Sequence, residues 1–275
     1  MGNKFDNSNN QALVAVRAAA LWEPIMHLSG LKRLITLGSL LVIAACSTLA
    51  PADEELILVV GATGGTGQQI TAQLLEKGYA VRALVRDADR AAELLGPDVE
   101  LFVGDVREPA TLTPAFAGAS RVISAIGSSA KEGPASPEFI DYGGNNNLAD
   151  AALNAGVNQF VLVSSMGVTH DDHPLNKMLG NILIWKMKNE NYIRASGLNY
   201  TIVRPGGLHD KPGGENRIVF EQSDTVKAVA ISRADVAEVC VAAIEHAEAI
   251  NKTFEIFTVK EPAVRNWQEK FAALN

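Results

Sequence analysis

Cysteine is almost absent from this 275-residue chain: Cys46 and Cys240 are the only two. A pair so far apart in a chain of this size excludes a disulfide scaffold. Cys240 lies in the apolar run 236–244 and reads as a core residue. Basic blocks are also missing, and the net charge is −7. That balance excludes nonspecific nucleic-acid binding, which needs a positive face. The uncharged run 34–45, LITLGSLLVIAA, is too short for an ordinary transmembrane helix. The acidic and imidazole groups do not gather into a metal site. His170, Asp171, Asp172 and His173 are adjacent in one stretch and cannot converge like ligands on a helix face, so no metal is expected. They read as a solvated loop that could flank a substrate mouth.

What is present suits a globular α/β protein. Apolar residues make up 47% and charged residues 20%, enough for a large core. The N-terminal part stands apart. Lys32 and Arg33 precede the apolar run 34–45, an arrangement that matches a secretory signal. The run ends Ile43-Ala44-Ala45-Cys46, which resembles the bacterial lipoprotein box. That resemblance implies lipidation at Cys46, with Ser47 next to it suggesting the outer membrane, and hence an envelope membrane anchor. Residues 1–45 then form leader and signal, with Met26 as an alternative start, and 46–54 a tether. An uncleaved apolar N-terminal helix, with a cytoplasmic location, is the other reading.

From residue 55 strand and helix patterns alternate. Strands are expected at 56–60, 80–85, 99–103, 122–125, 160–163 and 200–203. Helices are expected at 68–77, 87–95, 137–154 and 175–196. The run 56–60 is continuously apolar, as in a central parallel strand buried on both faces. The spacing is that of βαβ units, so 55–275 is read as one doubly wound, Rossmann-like α/β domain with a parallel sheet. The C-terminal pattern is less regular. A strand at 228–231, a helix from a Ser232/Asp235 capping box to about 246, a strand at 253–257 and a helix at 264–274 are expected.

The first strand runs into Gly61-Ala62-Thr63-Gly64-Gly65-Thr66-Gly67. Glycines here allow a tight turn, let backbone approach a pyrophosphate, and let the helix pack on the sheet. The helix N-terminus then offers free N–H groups and partial positive charge to phosphate. The context of buried strand, loop and helix is what such a motif requires. The second strand ends Leu84-Val85-Arg86. An arginine there suits a 2′-phosphate through charge-assisted bonds, whereas a carboxylate suits a ribose 2′-OH. NADP(H) is therefore the expected cofactor. NAD(H) is the less favoured one, and it depends on Asp87 turning inward.

The segments VVGATGGTGQQI (59–70), LVRD (84–87), VGDV (103–106), SAIGS (124–128), VLVSSMGV (161–168) and TIVRPGGL (201–208) resemble the atypical short-chain dehydrogenase/reductases of the GATGGTG, NAD(P)H-binding group. The resemblance covers about residues 55–260. It implies that Asp105 and Val106 lie by the adenine and that Ala125, Ile126 and Gly127 line ribose and phosphates. It also implies that Ser164 and Ser165 end the fifth strand beside the nicotinamide, and that Pro205, Gly206 and Gly207 pass its carboxamide. Classical short-chain dehydrogenases use Tyr-x-x-x-Lys, in which tyrosine delivers the proton and lysine holds the nicotinamide ribose. Here Lys186 is preceded four positions earlier by Ile182, so no phenol matches.

Three functions follow. The first is an NADPH-dependent reductase of a small substrate, with Lys186 on the ribose and the proton supplied by solvent or Ser165. The second is an NADP(H)-binding sensor or scaffold without turnover. The weakest is a nucleotide-sugar epimerase. A monomer or homodimer is expected, with no nucleic-acid partner.

Overall fold

A computed structural model describes residues 55–226 and 229–275. The signal, Met26, the lipidation site Cys46 and the tether lie outside the described residues. Among the described residues no helix is long and apolar enough to cross a membrane.

The core is an eight-stranded sheet. Its strands are β1 (Leu56–Val60), β2 (Ala80–Val85), β3 (Val99–Val103), β4 (Arg121–Ser124), β5 (Gln159–Val163), β6 (Tyr200–Pro205), β8 (Asn216–Glu221) and β10 (Lys252–Pro262). Their spatial order is β3-β2-β1-β4-β5-β6-β10-β8. All neighbours are parallel except β8, which runs antiparallel to β10 at one edge. Two short strands, β7 (Gly207–His209) and β9 (Ala230–Ser232), form a separate parallel pair. The doubly wound α/β reading therefore holds.

Both sheet faces are covered. Along β1, Ile57 and Val59 point into one apolar cluster and Leu58 and Val60 into the other. The first cluster is closed by α1 (Gly65–Glu76), α2 (Ala88–Leu95), α6 (Arg233–Glu245) and α7 (Trp267–Ala272). The second is closed by α3 (Asn145–Ala155) and α5 (Ile182–Ala195), with tight turns around Leu112–Phe116. This two-sided burial explains why the central strands are unbroken apolar runs.

Strands β7 and β8 are additions to the sequence expectation, and three helical details differ from it. Helix α1 begins at Gly65 rather than 68, so the glycine loop itself supplies the first helical turn. The stretch 137–154 is a π-helical turn, Glu138–Gly144, followed by α3. The stretch 175–196 is broken into α4 (Pro174–Met178) and α5. The break falls at Gly180 and Asn181, both left-handed, with φ of +63° and +60°. Gly180 also lies against the Lys131 carbonyl, where a Cβ would sit 2.3 Å from the oxygen. Ser232 caps α6 as expected, its Oγ accepting from the Asp235 amide at 3.0 Å, but the reciprocal half of the capping box is absent: the Asp235 carboxylate accepts from the Ser232 hydroxyl at 2.8 Å.

Candidate functional site

Strand order reverses beside β1, whose neighbours β2 and β4 are reached in opposite directions. In open α/β sheets the crevice at such a point binds ligand. The glycine loop occupies it. Gly61 has φ +85°, and a Cβ there would lie 2.8 Å from the Ala125 carbonyl carbon at the end of β4. Gly67 is tighter still: its Cβ would meet the Gly61 oxygen at 2.0 Å. These contacts seat α1 with its N-terminus facing the crevice. The first turn of α1 holds no acidic side chain and has no side-chain cap. The amides of Gly65, Thr66 and Gly67 donate to no acceptor among the described residues. A helix start with free donors suits an anion. The chain thus fits a pyrophosphate at this loop by its own geometry.

Two cavities open at this edge of the sheet. The smaller, about 220 Å³, is lined by Gly61, Thr63 and Gly64 with Arg86, Asp105, Val106, Ala125, Ile126 and Gly127. The expected adenosine-side residues therefore do converge. Arg86 is exposed at its rim. Asp87 is engaged elsewhere, where its Oδ1 accepts the Arg90 amide at 3.0 Å and caps α2. Asp105 is hydrogen-bonded by Arg107, which holds its carboxyl below the usual carboxylate range despite partial burial, with a smaller pull from Arg86.

The larger cavity, about 630 Å³, lies beyond the ends of β5 and β6. Its walls are mainly apolar, with Met166, Leu175, Leu179, Leu183, Pro205 and Leu208 among them. Its polar groups include Ser165, Lys186, His170 and His173. Gly206 and Gly207 line it as expected. Gly65, Thr66 and Gly67 belong to neither lining: Gly65 is exposed, and Thr66 and Gly67 are buried within the turn that forms the loop.

Lys186 is anchored from below. Its Nζ lies 2.8 Å from Oδ1 of Asp141, which is fully buried, and Asp141 Oδ2 accepts the Ser128 amide at 3.0 Å. The π-helical turn presents Asp141, and Asn145 ties that turn to β4 through Ser124 Oγ at 2.6 Å. One carboxylate thereby joins the loop after β4 to the lysine of the larger cavity.

Ser164 and Ser165 diverge. Ser165 lines the cavity, although its Oγ donates to the Met166 carbonyl at 2.9 Å. Ser164 is buried and donates to Glu190 Oε1 at 2.6 Å. Its hydroxyl thus belongs to a chain of buried ions rather than to the cavity. Glu190 pairs with Arg204, and Arg204 pairs with Glu255 at 2.9 Å. Glu255 then accepts the Asp224 amide at 3.0 Å. Asp224 in turn accepts from the Gly167 amide at 2.6 Å and from Thr169, and its carbonyl faces His170 Nε2 at 2.8 Å. Burial alone would lower the Arg204 pKa, but its two carboxylate partners outweigh that and raise it. Burial is also the main cause that raises the Glu255 pKa. The chain of ions holds the segment 165–170 against the cavity.

The stretch 170–173 is only partly the solvated loop expected. Asp171 and Asp172 are exposed, whereas His170 and His173 are half-buried at the cavity. His173 Nδ1 accepts the Leu175 amide at 3.2 Å as the cap of α4. Sequence reasoning misses this capping role, although a histidine before Pro174 at a helix start is a signal for it. Among the described residues no cluster of three metal-ligating groups occurs. Tyr142 packs against Trp185 with the rings tilted and their centroids 5.5 Å apart, and it does not line the larger cavity.

Residues 61–247 match the NAD(P)H-binding domain family. The chain belongs to this family. Its relatives include sanguinarine reductase of Eschscholzia californica, 38% identical over 76% of this chain and 91% of that protein. An uncharacterised chloroplastic protein of Arabidopsis thaliana is 37% identical over 94% of this chain and 77% of its own length. Among solved structures, a Bacillus halodurans protein described as an NAD-dependent epimerase/dehydratase superposes with TM-score 0.70 at 28% identity, covering 79% of this chain and 99% of that one. An anaerobilin reductase of Escherichia coli O157:H7 superposes with TM-score 0.63 at 25% identity, covering 76% of this chain and all of that one. Family membership places the chain among Rossmann-like NAD(P)H-binding proteins with reductase and epimerase-like neighbours, and it supports an oxidoreductase.

The separation of the two serines has a measurable consequence. Ser164→Ala leaves Glu190 one donor short in a buried site and is expected to cost about 1–3 kcal/mol of stability. Nucleotide affinity should stay within about twofold, since the lost bond is worth little to a ligand it does not touch. Urea unfolding and a nucleotide titration read the two effects. A large loss of affinity with unchanged stability would put Ser164 in the cofactor site instead.

Proposed function

We propose that the chain is an NADPH-dependent reductase that delivers hydride to a small, largely apolar molecule in the 630 Å³ cavity. The observation that carries this reading is the pair of cavities at one edge of the sheet, the smaller built on a loop with three free amides and with Arg86 at its rim, the larger mainly apolar with Lys186 and two histidines. Such a cavity is within the usual size range for small-molecule sites, roughly 300–1,000 Å³. The reductase names of two relatives support the reaction class.

Arg86 favours NADP(H) over NAD(H). Its guanidinium lies at the rim of the smaller cavity, just after the second strand, where an arginine suits a 2′-phosphate, and Asp87, the residue that would favour NAD(H), is engaged as the α2 cap. Bound NADPH supplies a hydride at its nicotinamide ring. The protein's part is to hold, orient and protonate. Lys186, oriented by Asp141, would donate to the nicotinamide ribose. Pro205, Gly206 and Gly207 wall the cavity and would face the nicotinamide ring. Because His173 Nδ1 accepts a backbone amide, the neutral ring carries its proton on Nε2. That atom reaches toward Gly167, being 3.4 Å from where a Cβ would sit. His173 can thus donate a hydrogen bond from Nε2 to a substrate carbonyl, while the proton that replaces the missing phenol's comes from solvent, relayed by Ser165.

A second reading has one observation in its favour. No tyrosine lines the larger cavity, so the chain could hold NADP(H) without turnover, as a sensor or scaffold. A photosystem II assembly factor of Cyanophora paradoxa is among its relatives, at 34% identity over 62% of this chain. An epimerase fits less well for the same lack of a phenol.

Titration of the protein with both cofactors, with substrate-dependent NADPH oxidation as a second readout, separates these readings. NADPH should bind at least about tenfold more tightly than NADH, and Arg86→Ala should erase the difference, since one charge-assisted contact is worth about a factor of ten or more. Equal affinities in the parent would defeat the NADP(H) assignment. Tight binding with no oxidation across quinones, flavins and aldehydes would favour the sensor.

The signal reading of the N-terminal segment remains a proposal of its own. If Cys46 is lipidated, labelled palmitate should enter the parent and not Cys46→Ala. Relatives described as chloroplastic favour an organelle-directed segment instead, and an unlabelled parent would support that.

A further inference from the structure

Gly65 has an ordinary backbone conformation, so turn geometry does not require glycine there. Its constraint comes from another element. A Cβ on Gly65 would lie 2.8 Å from Arg233 Cδ and 3.0 Å from its Nε. Arg233, the first residue of α6, therefore lies across the first turn of α1. Helices α1 and α6 pack side by side, joined by Gln73 Nε2 donating to the Ala234 carbonyl at 3.0 Å. Both helices start at the same edge of the sheet, so Arg233 stands where two positive helix ends meet.

That is a poor place for a cation. Helix N-termini favour negative charge and disfavour arginine. The guanidinium's ion-pair partner is Asp210, at 2.7 Å. Asp210 is 84% exposed, and such surface pairs contribute little. Asp235, two residues on, is not its partner: it is engaged with Ser232, Gly214 and Arg265. Arg233 is thus a cation held beside free amides by a weak, exposed carboxylate. Local rules broken without compensation mark functional positions.

We infer that Arg233 is a binding residue for the pyrophosphate of the dinucleotide, reaching over Gly65 and exchanging Asp210 for a phosphate oxygen. This rests on the dinucleotide reading of the glycine loop. It gives the two arginines different roles. Arg86 reads the 2′-phosphate that distinguishes the cofactors, whereas Arg233 grips what they share. No bond is made or broken.

The test uses the full chain, with Arg233→Gln and Arg233→Lys, titrated with NADPH, NADH and adenosine 2′-monophosphate. Arg233→Gln should weaken NADPH and NADH by the same factor, about tenfold, as loss of one charge-assisted contact does. Adenosine 2′-monophosphate, which has no pyrophosphate, should bind the variant as it binds the parent. Arg233→Lys should recover part of the loss. The thermal midpoint without nucleotide should not fall, because the cation leaves an unfavourable place. Dinucleotide affinity within twofold of the parent would overturn the inference, as would equal losses for all three nucleotides. A parent that binds no dinucleotide would instead overturn the reading of the glycine loop and this inference with it.

Discussion

The architecture of the site depends on one close approach. Gly67 of α1 packs so tightly on Gly61 that a single added carbon would sit 2.0 Å from its carbonyl oxygen. Gly61 packs in turn on the end of β4. These contacts decide where α1 starts and what its first amides face. A helix displaced by the width of a methyl group would aim its N-terminus elsewhere, and the crevice would lose its anion-binding character. The side chains around the loop then divide the labour. Arg86 stands on one side, Arg233 crosses the other, and Asp87 is withdrawn to cap α2.

The larger cavity depends on a different device. Its backbone wall at 165–170 carries no secondary structure of its own and is held by Asp224, which accepts from the Gly167 and Thr169 amides. Asp224 is linked through Glu255 and Arg204 to Glu190 and Ser164. Buried ion pairs are weak evidence for net stability, but breaking one by removing a partner typically costs about 3–5 kcal/mol. Such a chain of ions therefore specifies a conformation rather than merely adding stability. Beneath the same cavity, Asp141 does for Lys186 what Asp224 does for the loop.

Much of this is legible in the amino-acid sequence. The central parallel strands are, because a sheet covered on both faces leaves unbroken apolar runs between glycine stops, whereas the edge strand β8 (NRIVFE) lacks such a run and is not. The glycine loop is, since its context repeats the physical requirement. The break inside 175–196 is not, because periodicity continues across Gly180 and Asn181 while the backbone turns left-handed. The π-helical turn at 138–144 is hidden for the same reason. The buried ions escape a reading by periodicity, although Arg204 in the otherwise apolar strand TIVRP is a signal that a carboxylate must meet it. His170 and His173 look solvent-bound because two aspartates separate them, and only tertiary packing turns the imidazoles inward. Arg233 carries no signal in one dimension: its importance comes from two helix ends brought together across 168 residues of chain, from Gly65 to Arg233.

A crystal structure of the protein with NADP+ tests the central claim most directly. The account predicts pyrophosphate oxygens on the amides of Gly65 and Thr66, the adenosine in the cavity beside Arg86 and Asp105, and the nicotinamide directed toward Lys186. A dinucleotide bound away from the glycine loop, or a crevice that stays empty at saturating cofactor, would contradict it.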